Sequence, residues 1–186
     1  MSDDAPMQVH RDRGADAAQA HCWSGKLLAL DVGQARIGMA VCDPLQLAAR
    51  PLLTLQRRSR ERDLASIAEL VVQQEVKAVV CGLPLNMDGS EGRQAESVRR
   101  WARRLAYALR KQLGQPVPVV FADERLSTFA AQEILAGAVA AAGEDAVAAA
   151  VILQGFLDGQ RRGDAPDLGA IVLAGQAAHA HREATP

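Results

Sequence analysis

The chain has 186 residues and a mass of 19.8 kDa, which predicts one domain with tails rather than two full-sized domains. A formal net charge of −1 excludes a global attraction to nucleic acid or anionic membranes, so any anion-binding surface has to be local. Three widely spaced cysteines form neither a CxxC metal pair nor a disulfide framework, and the chain shows no signal peptide or long apolar run. We therefore expect a soluble cytoplasmic protein with no membrane partner.

The first half of the chain predicts a flexible arm followed by strands and two helices. Residues 1–25 mix charges and alanines without a period, which is typical of a disordered segment. From Lys26 onward, the apolar runs KLLALDVG, RIGMAVCD and RPLLTL predict a meander of three strands. Residues 61–75 and 94–113 show helical spacing of apolar residues, and KAVVCGL between them predicts a buried strand.

The second half completes an α/β pattern. The run VPVVFA predicts a fifth strand, TFAAQEILAG a short helix, and residues 144–160 a longer helix with a wide apolar stripe. The tail, residues 159–186, is expected to be loop, with AIVLAG as a candidate short helix. The order β-β-β-α-β-α-β-α-α predicts a mixed five-stranded sheet with helices on both faces, formed by residues 26–158.

Three carboxylates stand where predicted elements end or begin. Asp31 follows the apolar run LLAL, where an ionised group is costly unless it is paired, for example with Arg36, or binds a metal. Glu124 comes just after the fifth strand, and Asp145 opens the last helix, a position that the helix dipole alone favours for an acid. Brought together, the three would form an all-oxygen site suited to Mg²⁺ or Mn²⁺. Such ions promote attack on phosphodiesters.

Four segments resemble the YqgF (RuvX) family of Holliday-junction-resolvase-like nucleases. They are LLALDVGQARIGMAVCD, VVCGLPLNMDGSEGRQAESVRRWARRL, VPVVFADERLST and EDAVAAAVILQGFLD, in this order over residues 26–158. The resemblance implies a ribonuclease-H-like fold and a nuclease that matures the 5′ end of pre-16S ribosomal RNA. It also implies that Asp31, Glu124 and Asp145 are the catalytic metal ligands.

The chain departs from the expected pattern at two places. The strand KAVVCGL ends without the acid that ribonuclease-H-like enzymes usually carry there, and Glu124 is expected to replace it. The segment before Asp145, LAGAVAAAGED, also lacks the basic stretch found in relatives, which removes a phosphate-binding contribution.

Several arginines are candidate substrate-binding residues. Arg36 and Arg125 lie beside the proposed acids and are expected either to hold the scissile phosphate or to pair with neighbouring carboxylates. Arg99 and Arg103 belong to a run of six cations between residues 99 and 111, which predicts a phosphate track or the solvated face of a core-packed helix. A second cluster, for which a solvated loop is the favoured interpretation, contains Arg57, Arg58, Arg60 and Arg62.

These observations predict a metal-dependent nuclease. Its expected partners are structured RNA or branched DNA and a pre-ribosomal particle, and it would act as a monomer or homodimer. The alternatives are a Holliday-junction resolvase and a non-catalytic RNA-binding protein on the same fold. A phosphotransferase of the actin-like type is disfavoured, because such enzymes close two domains around ATP.

Overall fold

The computed structural model describes residues 24–126 and 142–173 of the chain. Its strands are β1 (Leu27–Val32), β2 (Arg36–Cys42), β3 (Ala49–Gln56), β4 (Ala78–Leu83), β5 (Val119–Asp123) and β6 (Ala170–Ile171). They form one sheet in the order β3-β2-β1-β4-β5-β6. The first three strands pair antiparallel as a meander, β1, β4 and β5 run parallel, and β6 is antiparallel to β5.

The described helices α1 (Arg60–Gln73), α2 (Arg93–Leu113) and α3 (Glu144–Arg162) cover both faces of this sheet. Alternate residues of β1 show why both faces need cover. Leu28 and Leu30 belong to the core beneath α1 and α2, whereas Leu27 and Ala29 belong to the core beneath α3. Because side chains alternate along a strand, a strand buried on both faces is apolar at nearly every position.

The site region lies at the edge where β1, β4 and β5 end, which we call the carboxyl edge. The antiparallel neighbours β2 and β3 meet there too, since Arg36 at the start of β2 pairs with Gln56 at the end of β3. Helix α3 also starts at this edge, where Gly38 allows close contact. A Cβ on Gly38 would lie 1.8 Å from the carbonyl oxygen of Asp145, so only glycine permits this approach of helix to strand.

The predicted α/β fold is confirmed, with one correction in the tail. The sheet has six strands rather than five, because Ala170 and Ile171 of the segment AIVLAG pair with β5 instead of forming a helix. An open β5 edge offers unpaired backbone groups, and the returning chain satisfies some of them. The short helix predicted for TFAAQEILAG lies outside the described residues.

None of the helices in the described ranges is both long enough and apolar enough to cross a membrane.

Candidate active site

Asp31 lies on β1 at the carboxyl edge, opposite Gly38 of β2. Its side chain is partly buried, and it forms no ion pair with another residue of the described ranges. Burial, and then repulsion from Asp145, raise the pKa of Asp31 above its ordinary value. The alternative interpretation of Asp31 as the partner of Arg36 is therefore not what the structure shows.

Glu124 reaches the same site from the neighbouring parallel strand β5. It is the first residue of a 3₁₀ turn, Glu124–Leu126, that directly follows β5. Its side chain passes over Gly82 of β4, where a Cβ would lie 2.8 Å from Glu124 Oε1. The glycine thus leaves room on β4 for the carboxylate of Glu124.

The electrostatic surroundings of Glu124 are unusual for a carboxylate. Burial raises its pKa to about 7, and repulsion from Asp31 and then from Asp123 contributes in the same direction. The register agrees with this proximity, because Leu30, just before Asp31, pairs with Cys81, just before the Gly82 over which Glu124 lies. A group with this pKa is suited to accept or release a proton near neutral pH.

Asp145 occupies the first turn of α3, beside the same strands. Its Oδ2 atom lies 2.7 Å from Nε of Arg36, and both side chains are partly exposed. Asp145 is also close enough to Asp31 to raise the pKa of that carboxyl group. Glu124 and Asp145 therefore both lie near Asp31, but the charge of Asp145 is balanced by Arg36.

Asp123 and Arg125 form a second charged pair, which is one of the two arrangements that the sequence left open for Arg125. Asp123 is buried, and its carboxylate accepts hydrogen bonds from the backbone N–H and from Nε and Nη2 of Arg125. These bonds hold the pKa of Asp123 below its usual range. Asp123 and Arg125 are the sequence neighbours of Glu124 on either side, so their hydrogen bonds hold the turn that carries Glu124.

Arg125 also fixes the loop that follows β4. Its Nη1 atom donates to the carbonyl oxygens of Asn86 and Met87, at 2.8 and 3.2 Å. The loop is closed further by the pairing of Leu85 with Glu91. Arg125 is thus engaged with Asp123 and this loop, an arrangement that the DER triplet alone did not indicate.

The two candidate arginines of α2 differ in their surroundings. Arg99 donates from Nε and Nη2 to Glu91, at 2.7 and 2.6 Å, and from Nη2 to the carbonyl oxygen of Leu168. Its guanidinium also stacks over the ring of Phe121. Arg99 therefore ties α2 to the segment before β6. Arg103 is exposed on the outer face of the helix.

The donor set at the carboxyl edge consists of oxygen atoms. Oxygen ligands suit Mg²⁺ and Mn²⁺, and the raised pKa values of Asp31 and Glu124 indicate a site that lacks a compensating positive charge. Within the described ranges, no group of three His, Cys, Asp or Glu side chains is already arranged to hold a metal ion. The residues therefore fit a divalent cation in the chemical type of their oxygen atoms, but the arrangement in this structure is not that of a complete metal site.

The strand order, the helices on both faces and the acids at the carboxyl edge define a protein of ribonuclease-H-like fold. Its backbone is similar to RuvC of Thermus thermophilus, solved in complex with a Holliday junction substrate. The TM-score is 0.56 at 18% sequence identity, over 77% of this chain and 99% of that one. A second structure of the same protein gives a TM-score of 0.54 at 16% identity. At these identities the likeness establishes the fold.

Sequence comparison identifies the family. The chain belongs to the RuvX family, whose profile is described as Holliday junction resolvase and matches residues 25–159. A relative from Anaeromyxobacter sp. (strain Fw109-5) is 51% identical over 140 residues, which are 73% of this chain and 98% of the relative. A relative from Cereibacter sphaeroides (strain ATCC 17025) is 43% identical, over 73% of this chain and 84% of the relative. Both carry the name "Putative pre-16S rRNA nuclease".

Proposed function

We propose that this protein is a metal-dependent nuclease that hydrolyses phosphodiester bonds in structured nucleic acid, with the 5′ region of pre-16S ribosomal RNA as its substrate. The observation that carries the proposal is that Asp31 and Glu124 lie over neighbouring strands at the carboxyl edge. Leu30, just before Asp31, pairs with Cys81, and the carboxylate of Glu124 lies over Gly82, the next residue of β4. Asp31 has no cationic partner in the described part of the chain. Such an arrangement costs stability, so its presence favours a functional role. Membership of the RuvX family and the name of its relatives support the same reaction.

The cation is proposed to be Mg²⁺ or Mn²⁺, held by Asp31, Glu124 and Asp145. Asp31 and Glu124 would provide the first two ligands. Asp145 would join them by giving up its bond to Arg36, which then becomes free to contact a phosphate. When bound, the cation supplies Lewis-acid activation of water and of the phosphoryl oxygens.

The protein's own groups would hold the ion and place the substrate. Glu124 has to lose its proton before it can hold the cation, so we expect binding of the ion to strengthen as the pH rises through about 7. Arg36 would hold the scissile phosphate. Arg125 would help to position the substrate indirectly, because it fixes the turn that carries Glu124 and the loop after β4. Arg103 contributes a cation on the exposed face of α2, whereas Arg99 supports the same helix from inside. We also propose that the protein acts in the cytoplasm and that its partner is a pre-ribosomal particle.

Cleavage of a labelled pre-16S transcript tests the proposal. Asp31→Asn keeps the shape of the side chain and removes its charge, and we expect cleavage slower by a factor of about 100 or more, with Mn²⁺ or Mg²⁺ present. Glu69→Gln, an equivalent change on the exposed side of α1, is the matched control and should cut at the parental rate. Equal rates for Asp31→Asn and the parent would refute the assignment of the site. A four-way DNA junction assayed in parallel distinguishes a resolvase from an RNA-processing enzyme.

A non-catalytic RNA-binding protein on the same fold is the second candidate. The ion pair between Arg36 and Asp145 favours it, because that contact occupies one of the three acids. This candidate predicts that chelation of divalent ions and Asp31→Asn both leave RNA binding unchanged, and that the parent does not cut. The assay above therefore separates the two functions with the same variants.

A further inference from the structure

The corner between β3 and α1, residues 57–62, lies at the carboxyl edge of the sheet. The sequence suggested a solvated loop here, but the strand register places it beside the site. β3 ends where β2 begins, and β2 pairs with β1, which carries Asp31. Asp31 pairs with Gly38, and Gly38 pairs with Thr54, so two strand spacings separate Asp31 from Thr54 by about 10 Å. The corner begins three residues after Thr54, which places it roughly 15 Å from Asp31.

Hydrogen bonds hold this corner against the turn that follows Asp31. The backbone N–H of Arg57 donates to the carbonyl oxygen of Ala35 at 3.0 Å, and Arg57 Nη1 donates to that of Gly33 at 2.7 Å. Asp63, only 3% exposed, accepts from Arg57 Nε and from the backbone N–H of Arg58. The corner is therefore joined to the site through its backbone and through one buried carboxylate.

The same contacts leave three arginine side chains facing solvent. Arg58, Arg60 and Arg62 are exposed, and none forms an ion pair with another residue in the described ranges. One exposed acid, Glu61, lies among them. The exposed side chains of the corner thus carry three positive charges and one negative charge, a net of +2, on a chain whose total charge is −1.

The positions of Arg60 and Arg62 are not explained by helix stability. Both lie in the first turn of α1, where the helix dipole favours acids and disfavours cations. Ser59 already caps this end, with its Oγ accepting from the N–H of Arg62. The first turn also carries the acids Glu61 and Asp63, so the two cations are not needed there for the helix, and their exposed side chains are available to an anionic ligand.

We propose that Arg58, Arg60 and Arg62 bind the phosphate backbone of the nucleic acid strand that enters the site. A separation of roughly 15 Å from Asp31 corresponds to about four nucleotides, at about 3.4 Å per nucleotide in a duplex strand. The corner therefore contacts the substrate beside the scissile bond and not at it. This inference rests on the proposed function for its placement, but binding at the corner is measurable without cleavage.

The experiment measures binding in EDTA, so that no cutting occurs. The probe is a fluorescein-labelled RNA hairpin with a single-stranded 5′ extension, titrated by fluorescence anisotropy at several salt concentrations. Arg60→Gln/Arg62→Gln is compared with Lys26→Gln/Lys77→Gln, a double variant of equal charge change. Both control residues precede strands whose first residues lie at the opposite edge of the sheet.

We expect the arginine variant to bind about tenfold more weakly than the parent. The slope of log K against log salt should fall in magnitude by about 2, since each phosphate that the protein no longer neutralises removes about 0.9 from it. The lysine control should stay within about twofold of the parental affinity. The thermal midpoint of the arginine variant should equal or exceed that of the parent, because two cations are removed from a helix N-terminus.

Three results would overturn the inference. They are parental affinity in the arginine variant, a lowered thermal midpoint, which would give these arginines a structural role, and failure of the parent to bind the hairpin. A different result would show that the proposed function, and not the inference, is wrong. The arginine variant would still bind more weakly than the parent in EDTA, but the parent would cut no substrate when Mg²⁺ or Mn²⁺ is added.

Discussion

Glu124→Gln is expected to make the protein more stable above neutral pH when divalent cations are absent. In the folded chain burial and two neighbouring acids raise the pKa of Glu124 to about 7, against an ordinary value of 4.5. This increase of about 2.5 in the pKa corresponds to about 3.4 kcal/mol, because each pKa unit is worth about 1.36 kcal/mol. Because the side chain is partly exposed, solvent screening reduces this figure, and we expect about 1–2 kcal/mol.

Whether stability rises or falls with pH depends on which state, folded or unfolded, binds the proton of Glu124 more tightly. A raised folded-state pKa means that the folded protein binds this proton better than the unfolded chain does. The stability that the neutral carboxyl contributes is fully present below about pH 4.5 and is lost as the pH rises through about 7. Glutamine stays neutral throughout, so the variant should match the parent near about pH 4.5 and exceed it by about 1–2 kcal/mol at about pH 8.

Urea unfolding in EDTA at several pH values between about 4.5 and about 8 provides the measurement. The quantity of interest is the difference in unfolding free energy between variant and parent, because groups that titrate in both proteins cancel. Glu69→Gln on the exposed side of α1 serves as the control. A difference that stays flat across this range, or a control that gains as much as Glu124→Gln, would show that site repulsion does not destabilise the folded state.

Further substitutions test the geometry of the same edge. Gly38→Ala places a Cβ 1.8 Å from a backbone oxygen of α3, so urea unfolding should show a loss of about 3 kcal/mol or more. Gly82→Ala meets the side chains of Glu124 and Ile152, each at 2.8 Å, and both can move by rotation. Cleavage assays should therefore show a loss of about tenfold or more, with a smaller change in stability than for Gly38→Ala. Mn²⁺ at about 100 times its dissociation constant should stabilise the parent by about 2.7 kcal/mol in thermal unfolding. Asp31→Asn should abolish that gain, and an equal gain in the variant would place the ion elsewhere.

The sequence alone predicted β1 to β5 and the three described helices, but not β6. Continuous apolar runs predicted β1, β2 and β4 because these strands are buried on both faces, and the helical spacing of α2 was equally direct. Asp31, Glu124 and Asp145 could be selected because each stands at the end or start of an element. The register that puts Asp31 opposite Gly38, and thus close to Asp145, could not be derived from these local patterns.

The partners of the charged side chains depended on the fold. Arg36 was a candidate partner of Asp31 from its place in the chain, yet it contacts Asp145, which is far away in the sequence. Arg99 looked like one member of a basic run, but the return of the chain at β6 brought Leu168 to its guanidinium, and the loop after β4 brought Glu91. Ion pairs form between whichever groups the packed elements bring within reach, and sequence spacing does not report that distance.

Local chemistry therefore determined which segments fold and which residues can do chemistry. Apolar periodicity and the desolvation cost of an acid after a buried strand act over a few residues and are readable in the chain. The tertiary structure decided which acids share a site, which arginines are already engaged and which corner lies beside the carboxyl edge. Those outcomes depend on strand order and on the absence of a Cβ at Gly38 and Gly82, which have consequences only once distant segments are packed together.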